Sequence, residues 1–168
     1  LQELTDGILY EFLLAEIAGQ RGNVGLSAQA YFDLAKRTRD PRIARRATEV
    51  AIFARMNNIA LESARIWYET DPRSSRAAQV LVGLLLGAGQ LQEAYPHLRS
   101  MLATSSADPA ETFLQVVRSL ANVRDKAASL QLMQRLGADH PALPQAHYAI
   151  AQVALAAPRT GGECKPRL

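Results

Sequence analysis

One cysteine, three histidines and no long apolar run set the outer limits on this chain. The lone thiol, Cys164, rules out an intramolecular disulfide and any cysteine-based metal site. His97, His140 and His147 stand far apart and in no H-E-x-x-H spacing, so a zinc-protease helix is excluded. No apolar stretch approaches the ~20 residues that cross a bilayer. The longest, residues 80–86, is interrupted by Gly83. Gly25-Leu26-Ser27-Ala28-Gln29 lacks the second glycine of a nucleophile elbow. Gly83, Gly87 and Gly89 follow no strand and precede no Lys-Ser/Thr, so they are not a phosphate loop. No run alternates Val, Ile, Thr and aromatic residues, and no sheet is expected. No secretory leader is visible. The chain starts at Leu1 and enters a helical pattern within a few residues, as a processed or trimmed polypeptide would. The compartment is therefore open.

What is present is helical periodicity. The 168 residues fit one domain, and 48% hydrophobic with 21% charged is ordinary for a globular protein. The net charge of +3 permits an acidic partner without demanding one. Ile8, Leu9, Phe12, Leu13 and Ile17 follow helical spacing after a potential cap at Asp6. Further helices are expected over 25–37, from Pro41 with Ile43, Ala44, Ala47, Val50 and Ala51, and after Asn58 with Ala60, Leu61, Ala64, Trp67 and Tyr68. Others follow near 74–87, 90–103, 109–121, 124–136 and 143–156. Pro96 falls early in its helix, where a lost N–H bond is mild and a bend is allowed. The tail, 158–168, has no apolar period and reads as disordered.

The punctuation recurs. Asp40-Pro41, Asp71-Pro72, Asp108-Pro109 and His140-Pro141 come at intervals of 31, 37 and 32. Asp is a good N-cap, and Pro suits the first helical position because its missing N–H is not needed there. Gly22-Asn23, Asn57-Asn58, Gly89-Gln90 and Asn122-Val123 mark turns between helices, Gly and Asn being tolerant of the left-handed conformation. Ala60, Ala94 and Ala128 are spaced at 34 and 34. A small residue at a helix crossing allows two axes to approach at the near end of the ~8–10 Å range.

Residues 89–102, G-Q-L-Q-E-A-Y-P-H-L-R-S-M-L, resemble the turn and second helix of a tetratricopeptide repeat, whose length is the period of 34 seen above. The resemblance implies an all-α, right-handed α-solenoid of antiparallel helix pairs over 1–157. About four repeats and one further helix, a cap or the edge of a longer array, would be followed by the 158–168 tail. It implies protein or peptide binding in a concave groove lined by the first helix of each repeat, with no cofactor, no metal and no catalytic residue. In the repeat frame the groove positions are Phe12, Glu16 and Gln20, then Arg42, Arg45, Glu49, Ile52 and Phe53. Arg76, Gln79, Gly83 and Leu86 follow, and then Phe113, Val117 and Leu120. Phe53 and Phe113 suit a core equally well. The Lys/Asn pair of the subtype that binds chaperone C-termini is absent, which rejects that subtype. The exposed final groove offers an edge for pairing two copies.

Residues 16–41, with R-A-T-E-V-A-I-F-A-R after them, also resemble, more loosely, the opening repeats of proteobacterial tetratricopeptide proteins. Some of those are envelope lipoproteins that act as adaptors for a periplasmic protease. This implies the periplasm or an outer-membrane anchor, with the cytoplasm as the alternative.

Lys36, Arg37, Arg39, Arg42, Arg45 and Arg46 form a basic run interrupted by Asp40. Such a run can meet phosphates, which makes an RNA-binding helical array the competing reading. An acidic protein surface is a third. No aromatic platform for bases is interleaved, however, and Glu49 lies one helical turn beyond Arg45. A solvated, ion-paired face is the plainest expectation.

Overall fold

The computed structural model describes residues 6–103, 109–121, 123, 125–142 and 144–156. Among them are nine α-helices and no strand: α1 (Asp6–Gln20), α2 (Val24–Thr38), α3 (Pro41–Phe53), α4 (Asn57–Thr70), α5 (Ser75–Gly87), α6 (Leu91–Ala103), α7 (Pro109–Leu120), α8 (Lys126–Ala138) and α9 (Pro144–Ala156). They fall into two compact units, Leu1–Ala88 and Gly89–Leu168.

In the first unit the helices pack in chain order, α1 on α2, α2 on α3, α3 on α4 and α4 on α5. Two turns repeat one bonding pattern. The N–H of Asn23 reaches back to the Ala18 carbonyl at 2.9 Å, and that of Met56 to the Ala51 carbonyl at 2.9 Å. Each is the long bond of a Schellman motif, and each needs a left-handed residue just before it. Gly22, at φ 79°, supplies the first; Arg55, at φ 56°, supplies the second. The Asn57-Asn58 turn expected from sequence is thus displaced. Both asparagines lie in the first turn of α4, because Arg55 has taken the left-handed role.

Asp40 caps α3 as expected, its carboxylate accepting the Arg42 N–H at 2.8 Å with Pro41 in the first turn. Asp71-Pro72 does not repeat this. The Ser74 N–H bonds the Asp71 carbonyl at 3.1 Å, closing a four-residue turn with Pro72 at its second position. Ser74 then caps α5 through the Ala77 N–H at 3.3 Å. His140-Pro141 likewise forms a turn, and α9 begins at Pro144. Asp108, Asn122, Arg124, Leu143 and the 158–168 tail with Cys164 lie outside the described residues.

The first unit's core holds Tyr31 and Ala35 of α2, Ala44 and Ala47 of α3, and Ile66 and Trp67 of α4. Beside it Ala28, Ala51 and Ala60, all fully buried, meet where α2, α3 and α4 cross. Three methyl groups at one crossing let the helices close to the near end of their packing range. In the second unit α6 packs on α8, and α7 and α8 on α9. Leu98, Phe113, Leu120, Met133 and Leu136 are among its buried side chains. Ala94 is also fully buried, whereas Ala128 is only partly so. Closeness at the last pair comes instead from Gly137, where a Cβ would stand 2.7 Å from Ile150 Cδ1. Pro96 lies inside α6, which runs on through it.

Candidate interaction cleft

α1 and α3 of the first unit run past each other with α2 behind them, and a cleft of about 340 Å³ lies between them. Its inner wall is small or apolar: Ala15 and Gly19 of α1, Val24 and Ser27 of α2, Val50 of α3. Its rim is polar and aromatic: Glu16 and Gln20 from α1, Arg46, Glu49 and Phe53 from α3. Phe53 is 77% exposed, an unusual cost for a large apolar ring at the last residue of a helix.

The rim is held by a network centred on Tyr31. This residue is 1% exposed, and its hydroxyl donates to the Glu16 carboxylate. Burial first, and the neighbouring carboxylate second, push its pKa up to about 12. Arg46 places its guanidinium 5.8 Å from the Tyr31 ring centre and 3.5 Å from Glu16, so it closes the network from α3. Phe12 packs edge-on against Tyr31 at 5.9 Å. Arg45 binds Glu49 at 2.9 Å and lies 5.9 Å from the Trp67 ring centre. Side chains of three helices thus position the two rim carboxylates.

Of the candidate residues named from sequence, Glu16, Gln20, Glu49 and Phe53 line this cleft. Phe12 and Arg45 support it from behind. Arg42 pairs with Asp40 at 2.9 Å in the first turn of α3, away from the cleft. Arg76 and Gln79 are exposed on α5, and Ile52 is exposed on α3. Phe113 belongs to the other unit. At 1% exposed and edge-on to His140 at 6.2 Å, it is a core residue, the second of its two expected places. Leu86 and Leu120 are core residues too. Sequence reasoning missed Arg46, Val24 and Val50 as lining residues. Arg46 was legible only as part of a basic run, yet it falls one turn before Val50 and on the same side of α3.

The basic run is neutralised residue by residue. Lys36 pairs with Asp33 at 2.8 Å, Arg37 with Glu11, Arg39 with Glu69 at 2.7 Å, and Arg42, Arg45 and Arg46 with the partners already given. A surface so matched offers a polyanion little unbalanced charge. Among the described residues no group of His, Cys, Asp and Glu side chains converges to hold a metal ion. Nor is any described helix long and apolar enough to cross a membrane.

No family model matches the chain. Over 137 residues, 82% of its length, it is 27% identical to the TPR repeat-containing protein PA4667 of Pseudomonas aeruginosa; the match spans 23% of that protein. The crystal structure of a MamA protein superposes with a TM-score of 0.55 at 13% identity, over 88% of this chain and 81% of the other. MamA from Desulfovibrio magneticus RS-1 superposes with a TM-score of 0.54 at 15% identity, over 92% and 87%.

Proposed function

We propose that this chain, a tetratricopeptide-repeat protein, is a non-enzymatic interaction module that holds a segment of a partner protein in the α1–α3 cleft. The observation that carries the reading is the exposed Phe53 ring beside an apolar wall and two anchored carboxylates. A cavity of about 340 Å³ accepts one or two side chains, so the occupant is a short segment with an apolar anchor. Selection of displayed random peptides against the chain tests this. Peptides that bind should lose about tenfold in affinity on Phe53→Ala or Glu49→Ala, some 1.4 kcal/mol. They should be unaffected by Gln79→Ala on α5. Binding indifferent to both cleft substitutions removes the proposal.

The looser resemblance of residues 16–41 to envelope lipoproteins supports a periplasmic protease as the partner class. Capture from a bacterial envelope extract would test that, and recovery of cytosolic proteins alone counts against it. The RNA-binding alternative rests on the Lys36–Arg46 run, whose cations are already paired. Filter binding at two salt concentrations separates it, because RNA retained at low salt and released at high salt is what that reading requires.

A further inference from the structure

α1 shows solvent an apolar face balanced about its own midpoint. Tyr10, Leu13, Leu14 and Ile17 lie at i, i+3, i+4 and i+7, the spacing of one side of a helix. All four are exposed, Tyr10 at 68%. Asp6 opens the same side and Arg21 closes it. The Arg21 N–H bonds the Ile17 carbonyl at 3.0 Å, so the helical turn carries on to that residue. At 3.6 residues per turn, these side chains all leave the axis within about 50° of one line. Asp6 and Arg21, Tyr10 and Ile17, and Leu13 and Leu14 stand at equal distances on either side of a point midway between the two leucines.

The charges of α1 sort the same way. Glu11 is taken by Arg37 of α2, and Glu16 by Tyr31 of α2 and Arg46 of α3. Asp6 and Arg21 are exposed, and among the described residues neither has an ion-pair partner. The face is separate from the cleft, which α1 lines with Ala15, Glu16, Gly19 and Gln20.

We propose that this face pairs with the same face of a second copy of the chain, α1 against α1 and antiparallel, about a two-fold axis between Leu13 and Leu14. A two-fold interface uses one patch twice, so the patch must complement itself. Antiparallel pairing about that point sets Tyr10 against Ile17 and Leu13 against Leu14, with Asp6 against Arg21 at both ends. A parallel pair would set Asp6 on Asp6 and Arg21 on Arg21. A lipid surface suits the face less well. Anionic headgroups favour apolar faces flanked by several cations, and α1 carries Asp6, Glu11 and Glu16 with no cation before Arg21. A helix of 15 residues is about 22 Å long, and a contact of that length falls below the ~1,200 Å² of a stable interface. The dimer is therefore a weak one, with a dissociation constant in the micromolar range or above.

Sedimentation equilibrium on the 168-residue chain, over a micromolar-to-millimolar series, tests the pairing. A monomer–dimer equilibrium is expected. Asp6→Arg and Arg21→Asp should each weaken it about tenfold, by setting like charges together at both ends. An equimolar mixture of the two variants should regain the original affinity, because both ends then hold opposite charges. That recovery separates loss of pairing from damage to the fold. A chain that stays monomeric throughout overturns the proposal, as does a dimer that neither substitution weakens or that the mixture does not restore. Binding of a monomeric chain to phosphatidylserine vesicles overturns it as well and assigns the face to lipid.

Discussion

The Tyr31 hydroxyl on α2 donates to the Glu16 carboxylate on α1, and this bond holds one side of the cleft's rim. It joins a buried ring to a side chain that solvent still reaches. The rim is therefore fixed from the core.

The bond has a consequence at alkaline pH. The Tyr31 pKa is pushed from 10.0 up to about 12, so the folded state favours the neutral phenol. Its stabilisation is complete below pH 10 and is lost as pH rises through about 12. Spectrophotometric titration should show the Tyr31 phenol ionising late, near pH 12. Tyr31→Phe should remove that late step and cost about 1 kcal/mol, the donor lost to a partly solvated carboxylate.

At acid pH the corresponding group is Asp40. Its side-chain bond to Arg42 holds it below its ordinary value of 3.8, despite partial burial. The stabilisation it supplies is present above pH 3.8 and is lost as pH falls further through the folded-state value. Asp40→Ala should cost about 1 kcal/mol at pH 7 by removing the cap of α3. Asp40→Asn keeps the cap, so it should cost less and remove Asp40's share of the acid dependence, while Asp33, held low by its bond to Lys36, keeps its own. Urea melts at pH 7 and pH 3 distinguish the two.

Much of this architecture was legible because helix starts and crossings are written in residue type. Asp40-Pro41 and Gly22-Asn23 behave as their chemistry dictates, and Ala60 and Ala94 are fully buried as small crossing residues should be. What stayed hidden depended on tertiary context. Arg55 adopts a left-handed conformation that no arginine advertises. Asp71-Pro72 carries the same two letters as Asp40-Pro41 but closes a β-turn, because a serine two residues on captures the cap. Phe53 and Phe113 both suited a groove or a core; their exposures of 77% and 1% separate them, and periodicity alone could not. Arg46 joined the site only once α3 was placed beside α1.

The alanine crossing gives a third prediction. Ala28, Ala51 and Ala60 leave no room for added methylenes, each being fully buried. Ala60→Leu should destabilise by about 1–3 kcal/mol through overpacking. The control is Glu62→Ala on the exposed side of the same helix, α4. It removes only a surface ion pair with Arg65 and should change stability by less than about 0.5 kcal/mol. Thermal melts of the two variants side by side would show whether the crossing is as tight as its geometry states.

Arg55 supplies the last. At φ 56° it occupies a region that costs a side-chain-bearing residue roughly 1 kcal/mol and costs glycine nothing. The turn it closes is the one that Gly22 closes one repeat earlier, with the same 2.9 Å bond across it. Arg55→Gly should therefore stabilise the chain by about 0.5–1 kcal/mol, less whatever freedom glycine adds to the unfolded state. Gly22→Arg should destabilise by a similar amount. Opposite signs for the two substitutions in urea melts would confirm that a shared backbone conformation sets the repeat register. A loss of stability on Arg55→Gly would show instead that the arginine side chain holds the α3–α4 turn.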